Sequence, residues 1–412
     1  MSGIIAAPQF LRVFPDLDPT KVGPTKSSNM QAFYTAIYEI GCLCGAIFAL
    51  LFGNKLGRRR NILIGSFVMA VGVIIQITTI KGHKAGYQFV IGRIVTGLGN
   101  GSNDDLLYLN QVNWRWAGLN TATIPSWQAE CSKAHNRGLL ICIEASTIAF
   151  GTVIAYWLVG PIIQKSFTGS LTSPQDFGFS YVDNSISWRV PIGLQLVFVV
   201  LLVIGILLLP ESPRWLLSQG FEEEGQSVVA ALADTPFSSE QAILEKRVIQ
   251  ETLEAMKGKQ KIGDLFTNGK TQHFRRAMVG ASSQFFQQVG GCNAVIYFAP
   301  VIYETYIGLN HKLSLILGGV NATVYALSAV ASYPMIETLG RRKMFLWGSV
   351  GQATAMFLAS FCLIPYNEEG NTNNKALYGA VVGLFLYLIV FGCTWLEVSF
   401  FVSARISWLD HV

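Results

Sequence analysis

Charged residues are scarce in this chain of 412 residues, since Asp, Glu, Lys and Arg make up only 13% of it while 51% is hydrophobic. A typical soluble domain carries about 25% charged residues. So few charges cannot cover the surface of a water-soluble protein of this length. The composition therefore excludes most soluble enzymes and indicates that lipid forms part of the solvent.

Paired cysteine motifs are also lacking. The seven cysteines are scattered, without CxxC or metal-ligand spacing, so we expect small buried apolar residues and predict no metal or other cofactor. The sequence shows no nucleophile, base or metal constellation, which argues against an enzyme. Met1–Ile5 lacks the basic start and apolar run of a cleavable signal peptide.

Long apolar runs are what the sequence has instead. A bilayer core of about 30 Å needs about 20 apolar residues per helix. Eight runs approach this length, and a ninth, at 87–101, is shorter; the eight lie at 34–53, 62–80, 139–159, 190–209, 278–301, 314–335, 345–364 and 377–398. Because helices satisfy their own backbone hydrogen bonds in lipid, the runs predict an all-α polytopic membrane protein.

Basic residues are concentrated in alternate gaps between these runs. The gaps at 54–60, 130–137, 211–276 and 337–343 hold more than half of the 30 Lys and Arg residues. Short basic loops stay in the cytoplasm, so these gaps are predicted to lie inside. The net charge of +5 is then a topology signal, and the expected partner is the lipid bilayer rather than nucleic acid.

The polar and apolar segments predict five parts. Residues 1–33 form an extracellular arm, 34–209 an N-terminal helical half, 210–273 a cytosolic linker, 274–398 a C-terminal helical half and 399–412 a tail. The linker contains a helical pattern for which Ser238 or Ser239 is the expected cap.

A short repeat connects the two predicted halves. The segment NKLGRRR (54–60) follows the first apolar run and ETLGRRK (337–343) follows the sixth. Gly57 and Gly340 let the backbone turn sharply, and the arginines after them can pair with carboxylates or helix carbonyls. One such cluster could simply obey the positive-inside rule, but the matched pair favours a duplicated transporter with its site between the halves.

Further motifs support this interpretation. They are GRIVTGLGNG (92–101), WRVPIGLQ (188–195), PESPRWL (210–216), QQVGGCN (287–293) and VNATV (320–324). On these motifs the chain resembles the sugar porter family of the major facilitator superfamily, most closely its fungal hexose-type members. The resemblance covers nearly the whole chain. It implies a major facilitator fold in which about nine of twelve helices, family helices 2 to 10, are present in a multi-pass protein of the plasma membrane.

The resemblance also implies a function, which is transport of a hexose-type monosaccharide by alternating access. Facilitated diffusion and proton symport both stay open, so protons are a second candidate partner beside the sugar. The alternatives are a sugar sensor that does not transport and a truncated product without function.

Amide side chains carry the predicted sugar site, because hexose hydroxyls need groups that both donate and accept hydrogen bonds. On one helix, Gln284, Gln288 and Asn293 would share a face, with Gly290 and Gly291 loosening the backbone beside them. The resemblance matches Gln287, Gln288, Asn293 and Asn321 to sugar-binding amides of the family. The predicted substrate-binding residues are Gln284, Gln287, Gln288, Asn293, Tyr297 and Asn321; the alternative is that such amides only join neighbouring helices.

Two charges fall inside apolar runs, and such charges are costly and usually functional. Arg93 matches the arginine that faces an acidic residue of the first helix in proton-coupled sugar porters, and Glu144 lies next to a sugar-contacting position. A predicted cytosolic gate of salt bridges comprises Gly57, Arg58, Arg59, Glu130, Arg137, Glu211, Arg214, Glu337, Gly340, Arg341 and Arg342. The alternative for the gate is solvated surface charge.

Three stretches depart from the family pattern. The family's first helix, which would carry the acidic partner of Arg93, should precede Met1. Residues 102–118 interrupt a family helix and bring Asp104, Asp105 and Arg115 to membrane depth, where each charge costs about 2.5–3.5 kcal/mol. We expect this insert to be a translated intron or an extramembrane loop, and the tail at 399–412 to be a second retained intron. The chain is therefore predicted to be incomplete or mis-spliced.

Overall fold

Every regular element of the described chain is helical. The computed structural model describes residues 8–80, 82, 85–100, 127, 131, 137–159, 186–256, 273–369, 374–396 and 398–399. Within these ranges there is no strand.

The part of the chain up to residue 208 begins with three short helical elements. The first long helix, α3, starts at Pro24, ten residues before the apolar run that predicts it. The elements of this part are α1 (Pro8–Val13), a 3-10 turn (Pro15–Leu17), α2 (Pro19–Val22), α3 (Pro24–Leu56), α4 (Arg58–Ile77), α5 (Ala85–Asn100), α6 (Arg137–Val159), α7 (Ile186–Gly193) and α8 (Gln195–Leu208).

The later elements include three polar helices, at 213–256, and two π-helical turns. They are α9 (Pro213–Ser218), α10 (Glu222–Ala233), α11 (Glu240–Met256), α12 (His273–Val289), α13 (Cys292–Val301), a π turn (Ile302–Tyr306), α14 (His311–Leu339), α15 (Arg341–Glu369), α16 (Asn374–Phe391) and a second π turn (Gly392–Leu396).

Seven helical segments of the described residues are long and apolar enough to cross a membrane. They are Thr25–Phe48, Arg58–Ile77, Trp188–Leu208, Met278–Glu304, Leu313–Ile336, Arg341–Leu363 and Leu377–Leu396. The two other predicted runs overlap α5 and α6, which are helical too, but within α6 the apolar part that qualifies is the shorter segment Ser146–Trp157. The all-helical prediction is confirmed, whereas the count of nine spans is not.

The helices form two compact units. The first contains Met1–Ser28, Cys142–Pro191 and Phe285–Val402, and the second contains Asn29–Ile141, Ile192–Gln284 and Ser403–Val412. This grouping reports which helices pack together. The five predicted parts of the chain stay a prediction.

Small residues allow close packing of α15 and α16 in the first unit. A Cβ added to Gly383 would lie 2.8 Å from the backbone nitrogen of Ala359, so only glycine permits this approach. Aromatic residues fill the space beside it, with Tyr387 and Phe391 stacked at 6.3 Å between ring centroids. In the same unit, Phe10 of α1 contacts the fully buried Trp188 edge to face, at 5.6 Å.

A buried amide joins α4 and α5 in the second unit. Gln76 Nε2 donates to Thr96 Oγ1 at 2.7 Å and to the carbonyl of Gly92 at 3.3 Å. Gly72 and Gly92 leave the space for these bonds, since a Cβ on Gly92 would lie 2.7 Å from Cγ of Gln76. A buried amide that is satisfied in this way fixes the register of the two helices.

Serine caps organise the polar helices that follow α8. Ser212 Oγ accepts from the N–H of Trp215 at 3.3 Å, and Ser239 Oγ accepts from the N–H of Ala242 at 3.2 Å, so the predicted cap at Ser239 is confirmed. Lys246 of α11 pairs with Glu222 of α10 at 3.0 Å. The predicted helical pattern is thus confirmed within 213–256, while the role of these helices as a cytosolic linker stays a prediction.

The expectation that the cysteines are buried is wrong for part of the set. Cys42 and Cys292 are buried, but Cys44 is exposed and Cys131, Cys362 and Cys393 are half-buried. A side chain that faces lipid needs to be apolar but not enclosed, so an apolar run alone does not predict burial.

Candidate functional site

A glycine break divides the helix that carries most of the predicted amides. Gly291 has φ 83°, in the left-handed region, and separates α12 from α13. Beside the break, the Tyr387 hydroxyl donates a hydrogen bond to the backbone carbonyl of Gly290 at 2.8 Å. Gln284 and Gln288 therefore lie on a different helix from Asn293, and the expected single helical face is wrong.

The break nevertheless brings two of the predicted amides together. Asn293 Nδ2 donates to Gln288 Oε1 at 2.6 Å. Gln287 is buried, and among the described residues its Oε1 has no hydrogen-bond partner. Tyr297 is 42% exposed, and the side chain of Gln284 lies outside the described residues. The structure thus brings Gln288 and Asn293 together and leaves Tyr297 exposed, and the remaining site residues stay a prediction.

Asn321 lines a small cavity in the first unit. Its side chain is fully buried, and neither Oδ1 nor Nδ2 has a hydrogen-bond partner among the described residues. The cavity volume is about 10 Å³, which is close to the minimum for one water molecule. The cavity is lined by Thr152, Tyr156, Val295, Ile296, Ala299, Gly318, Asn321, Ala322, Tyr325 and Leu388.

Three hydrogen bonds connect α6 to the helices around this cavity. The Tyr156 hydroxyl donates to the carbonyl of Ile296 on α13. On α14, Trp157 Nε1 donates to Thr323 Oγ1 at 2.9 Å, and the Tyr333 hydroxyl donates to Ser146 Oγ at 2.8 Å. The sequence analysis missed Thr152 and Tyr156; a polar residue on an apolar helix is the one signal that could have identified them.

Arg93 is buried in the second unit and contacts the backbone of α3. Its Nε donates to the carbonyl of Tyr34 at 3.3 Å and its Nη2 to the carbonyl of Thr35 at 3.0 Å. The guanidinium lies 4.7 Å from the ring centroid of Tyr38, a cation–π distance. Two backbone carbonyls and an aromatic ring thus contact the charge for which the resemblance implies an acidic partner on the family's first helix.

The first predicted turn of the gate is held by Glu211. Its Oε1 accepts from the N–H of Arg58 at 3.0 Å, and its Oε2 accepts from the N–H of Arg59 at 3.1 Å. Arg59 Nη2 donates to the carbonyl of Leu207 at 2.8 Å, at the end of α8. A carboxylate at the N-terminus of α4 compensates the partial positive charge of that helix end.

The other gate residues are placed only in part. Gly57 has φ 87° and Gly340 has φ 76°, and each turn joins two long helices. Arg214 lies half-buried in the first turn of α9, Arg341 is half-buried at the start of α15, and Arg342 is exposed. Glu130 and the side chains of Arg137, Glu144 and Glu337 lie outside the described residues, so the salt-bridge gate stays a prediction. In the part of the chain that the structure describes, no group of three His, Cys, Asp or Glu residues could hold a metal ion.

Comparison with known sequences gives one family. The model of the family described as "Sugar (and other) transporter" matches residues 1–107 and 116–410. The interruption falls inside the predicted insert at 102–118, and the match includes most of the predicted tail at 399–412. These two assignments, and incomplete splicing, stay predictions.

Two fungal transporters are similar to the chain along its whole length. The sugar transporter STL1 of Saccharomyces cerevisiae is 39% identical over 408 residues, which are 99% of this chain and 65% of that protein. The major facilitator superfamily transporter mfsA of Aspergillus fumigatus is 38% identical over 99% of this chain and 69% of its own length. The chain thus spans about two thirds of the length of these relatives.

A solved structure shares the fold. The proton:xylose symporter XylE, bound to 6-bromo-6-deoxy-D-glucose, is 20% identical and superposes with a TM-score of 0.69, over 100% of this chain and 82% of that one. The fold is thus that of the major facilitator superfamily. With the matched residues and the fungal relatives, this places the chain in a family of multi-pass membrane proteins: it belongs to the sugar (and other) transporter family of the major facilitator superfamily.

Proposed function

We propose that the protein moves a hexose-type monosaccharide across a membrane by alternating access. The sugar hydroxyls would bind the amides of Gln284, Gln287, Gln288, Asn293 and Asn321 and the hydroxyl of Tyr297. The relatives named as sugar transporters, and the sugar-bound symporter of the same fold, support this substrate class.

One observation carries the proposal, which is the state of Asn321. A buried amide without hydrogen-bond partners costs about 1–3 kcal/mol, so such a group needs an explanation. Asn321 faces a cavity shared with α13, the helix that begins at the glycine break beside the pair of Gln288 and Asn293. A sugar hydroxyl entering there would satisfy both its oxygen and its nitrogen.

The small size of the cavity is consistent with alternating access. A space of about 10 Å³ does not hold a hexose. In a transporter the helices around the site separate on one side and then on the other, so the site is large only in some states. The glycine break gives α13 the freedom to move relative to α12.

The experiment is binding and uptake of radiolabelled hexoses. Purified protein should bind one hexose saturably, and a host without its own hexose transporters should take it up when it makes this chain. Asn321→Ala and Asn293→Ala should raise the apparent Kd at least tenfold, which corresponds to about 1.4 kcal/mol for one lost amide interaction. The matched control is Gln352→Ala, because Gln352 of α15 is also an amide whose Nε2 has no partner among the described residues, but it does not line the cavity.

Each other outcome has a definite meaning. Absence of binding to any hexose would refute the proposal. Binding without uptake would identify a receptor instead, and uptake that rises with an inward proton gradient would add proton symport, in which Arg93 would be the charge to test. Equal Kd values for the Asn321 and Gln352 variants would remove Asn321 from the site.

Several finer assignments belong to the same proposal. We place the protein in the plasma membrane, count α5 and α6 with the seven longer segments as nine family helices, and treat 102–118 as an insertion. Sequencing the mature transcript tests the insertion, because a retained intron would be absent from part of the messages. A deletion of 102–118 that lowers uptake would contradict it.

A further inference from the structure

Pro300 lies inside α13 and leaves one backbone carbonyl without its helical donor. In an α-helix the N–H of residue 300 would point at the carbonyl of residue 296, but proline has no N–H. In lipid an unsatisfied carbonyl costs several kcal/mol, so proline is tolerated there only when another group takes over.

The Tyr156 hydroxyl meets this need from a different helix. It donates to the carbonyl of Ile296, the carbonyl that Pro300 deprives of its donor. Gly318 of α14 makes room for the arrangement, since a Cβ there would lie 2.9 Å from Cγ of Pro300 and 3.3 Å from Cε1 of Tyr156. Three helices therefore converge on Pro300.

We infer that Tyr156 is a positioning residue, whose hydroxyl replaces the missing proline N–H and thereby ties α6 to α13. The helix that contains Pro300 starts at the glycine break and carries Asn293 and the cavity wall at Val295 and Ile296, so this hydrogen bond holds them in position. When α6 and α13 separate, the carbonyl of Ile296 loses this donor. The bond thus favours the state in which the cavity is closed, whether or not the ligand is a hexose.

The test is a double-mutant cycle between Tyr156→Phe and Pro300→Ala in the full chain, followed by SDS titration in mixed micelles. Tyr156→Phe removes one oxygen atom and should lower the SDS midpoint when Pro300 is present. Pro300→Ala restores an N–H at position 300, so the same Tyr156→Phe change should then cost little. Such a rescue is specific to the missing proline donor.

Tyr303→Phe is the matched control. Tyr303 has the same side chain in the same unit and is fully buried, whereas Tyr156 is half-buried. The Tyr303 hydroxyl has no hydrogen-bond partner among the described residues. Removal of the Tyr303 hydroxyl should leave the SDS midpoint unchanged or raise it. A loss equal to that of Tyr156→Phe would mean that any buried tyrosine hydroxyl matters, and would overturn the inference.

Labelling of Cys292 reports the packing of the start of α13. This thiol is 3% exposed at the start of α13, while Cys44 is exposed in the other unit. With a small membrane-permeant thiol reagent, Tyr156→Phe should raise the labelling rate of Cys292 at least threefold and leave that of Cys44 unchanged. Unchanged labelling of Cys292, or an equal loss of stability from Tyr156→Phe with and without the Pro300→Ala substitution, would refute the inference. Neither measurement needs a transported sugar, so its failure is separate from failure of the proposed function.

Discussion

The two Leu-Gly-Arg-Arg turns have similar backbone conformations but different surroundings. Gly57 has φ 87° and ψ 166°, and Gly340 has φ 76° and ψ 151°, a region that is essentially open only to glycine. A Cβ on Gly57 would lie 2.9 Å from Oε2 of Glu211 and 3.1 Å from the ring of Trp215. A Cβ on Gly340 would have no described atom within 4 Å.

This difference shows that the repeated sequence determines the conformation of the turn but not the residues that contact it. The local sequence is enough to form the turn, because both turns also close with the same first helical bond, from Asn61 to Gly57 and from Met344 to Gly340. The carboxylate that covers the first turn comes from Pro-Glu-Ser-Pro-Arg, which occurs once in the chain. We therefore expect the first turn to depend on a distant segment and the second to depend on its own backbone.

Gly57→Ala should have the largest effect on stability, a loss of about 3 kcal/mol. Backbone strain of alanine in this glycine-only region accounts for about 1–2 kcal/mol of it, and displacement of the Glu211 carboxylate from two backbone N–H groups accounts for the rest. SDS titration of the variant in mixed micelles measures the loss. A loss no greater than that of Gly340→Ala would show that the contacts around Gly57 contribute nothing.

Glu211→Ala should follow, with a loss of about 2 kcal/mol, because it removes both the cap and the negative charge from the N-terminus of α4. The control is Glu223→Ala, since Glu223 also lies in the first turn of a helix but is exposed. The same titration should show a clearly smaller loss for Glu223→Ala. If the two variants lose equally, general helix electrostatics rather than this clamp explains the effect.

The turns also show why part of the fold was predictable. Apolar runs fix where helices form, and Gly between Leu and Arg fixes the turns at 57 and 340. The partner of Glu211 was not predictable, because the sequence suggested guanidinium groups and the carboxylate binds backbone N–H groups, which every residue except proline has. Arg93 shows the same problem, since its carbonyl partners at Tyr34 and Thr35 have no sequence signature.

The site was predictable to a similar extent. Residue chemistry pointed to Gln287, Gln288 and Asn293, because membrane amides are rare enough to notice, and the resemblance added Asn321. The helix break at Gly291 was visible only as a pair of glycines, and its consequence for the shared face was not. The contact of Tyr156 with Ile296 joins two helices that are more than a hundred residues apart in the sequence. No local sequence pattern predicts such a long-range contact.

Gly340→Ala should cost about 1–2 kcal/mol, the backbone strain of alanine in this glycine-only region without a steric clash. The comparison becomes sharper in a Glu211→Ala background. There Gly57→Ala should lose most of its additional cost, while the cost of Gly340→Ala should not change. A double-mutant cycle by SDS titration measures both, and coupling of Gly340→Ala to Glu211→Ala would mean that the two turns are not independent.

Glu211→Gln should have the smallest effect, about 1 kcal/mol, and it separates the hydrogen bonds of the clamp from its charge. Glutamine keeps one acceptor oxygen for the N–H groups of Arg58 and Arg59 but loses the negative charge, which contributes about 0.3–1 kcal/mol at a helix N-terminus and is screened by salt. The difference between wild type and Glu211→Gln should therefore shrink as the salt concentration rises from 0.05 to about 0.5 M, whereas the difference between Glu211→Gln and Glu211→Ala should stay constant. If salt leaves the first difference unchanged, hydrogen-bond geometry alone holds the turn, and any acceptor at position 211 would make the first turn differ from the second.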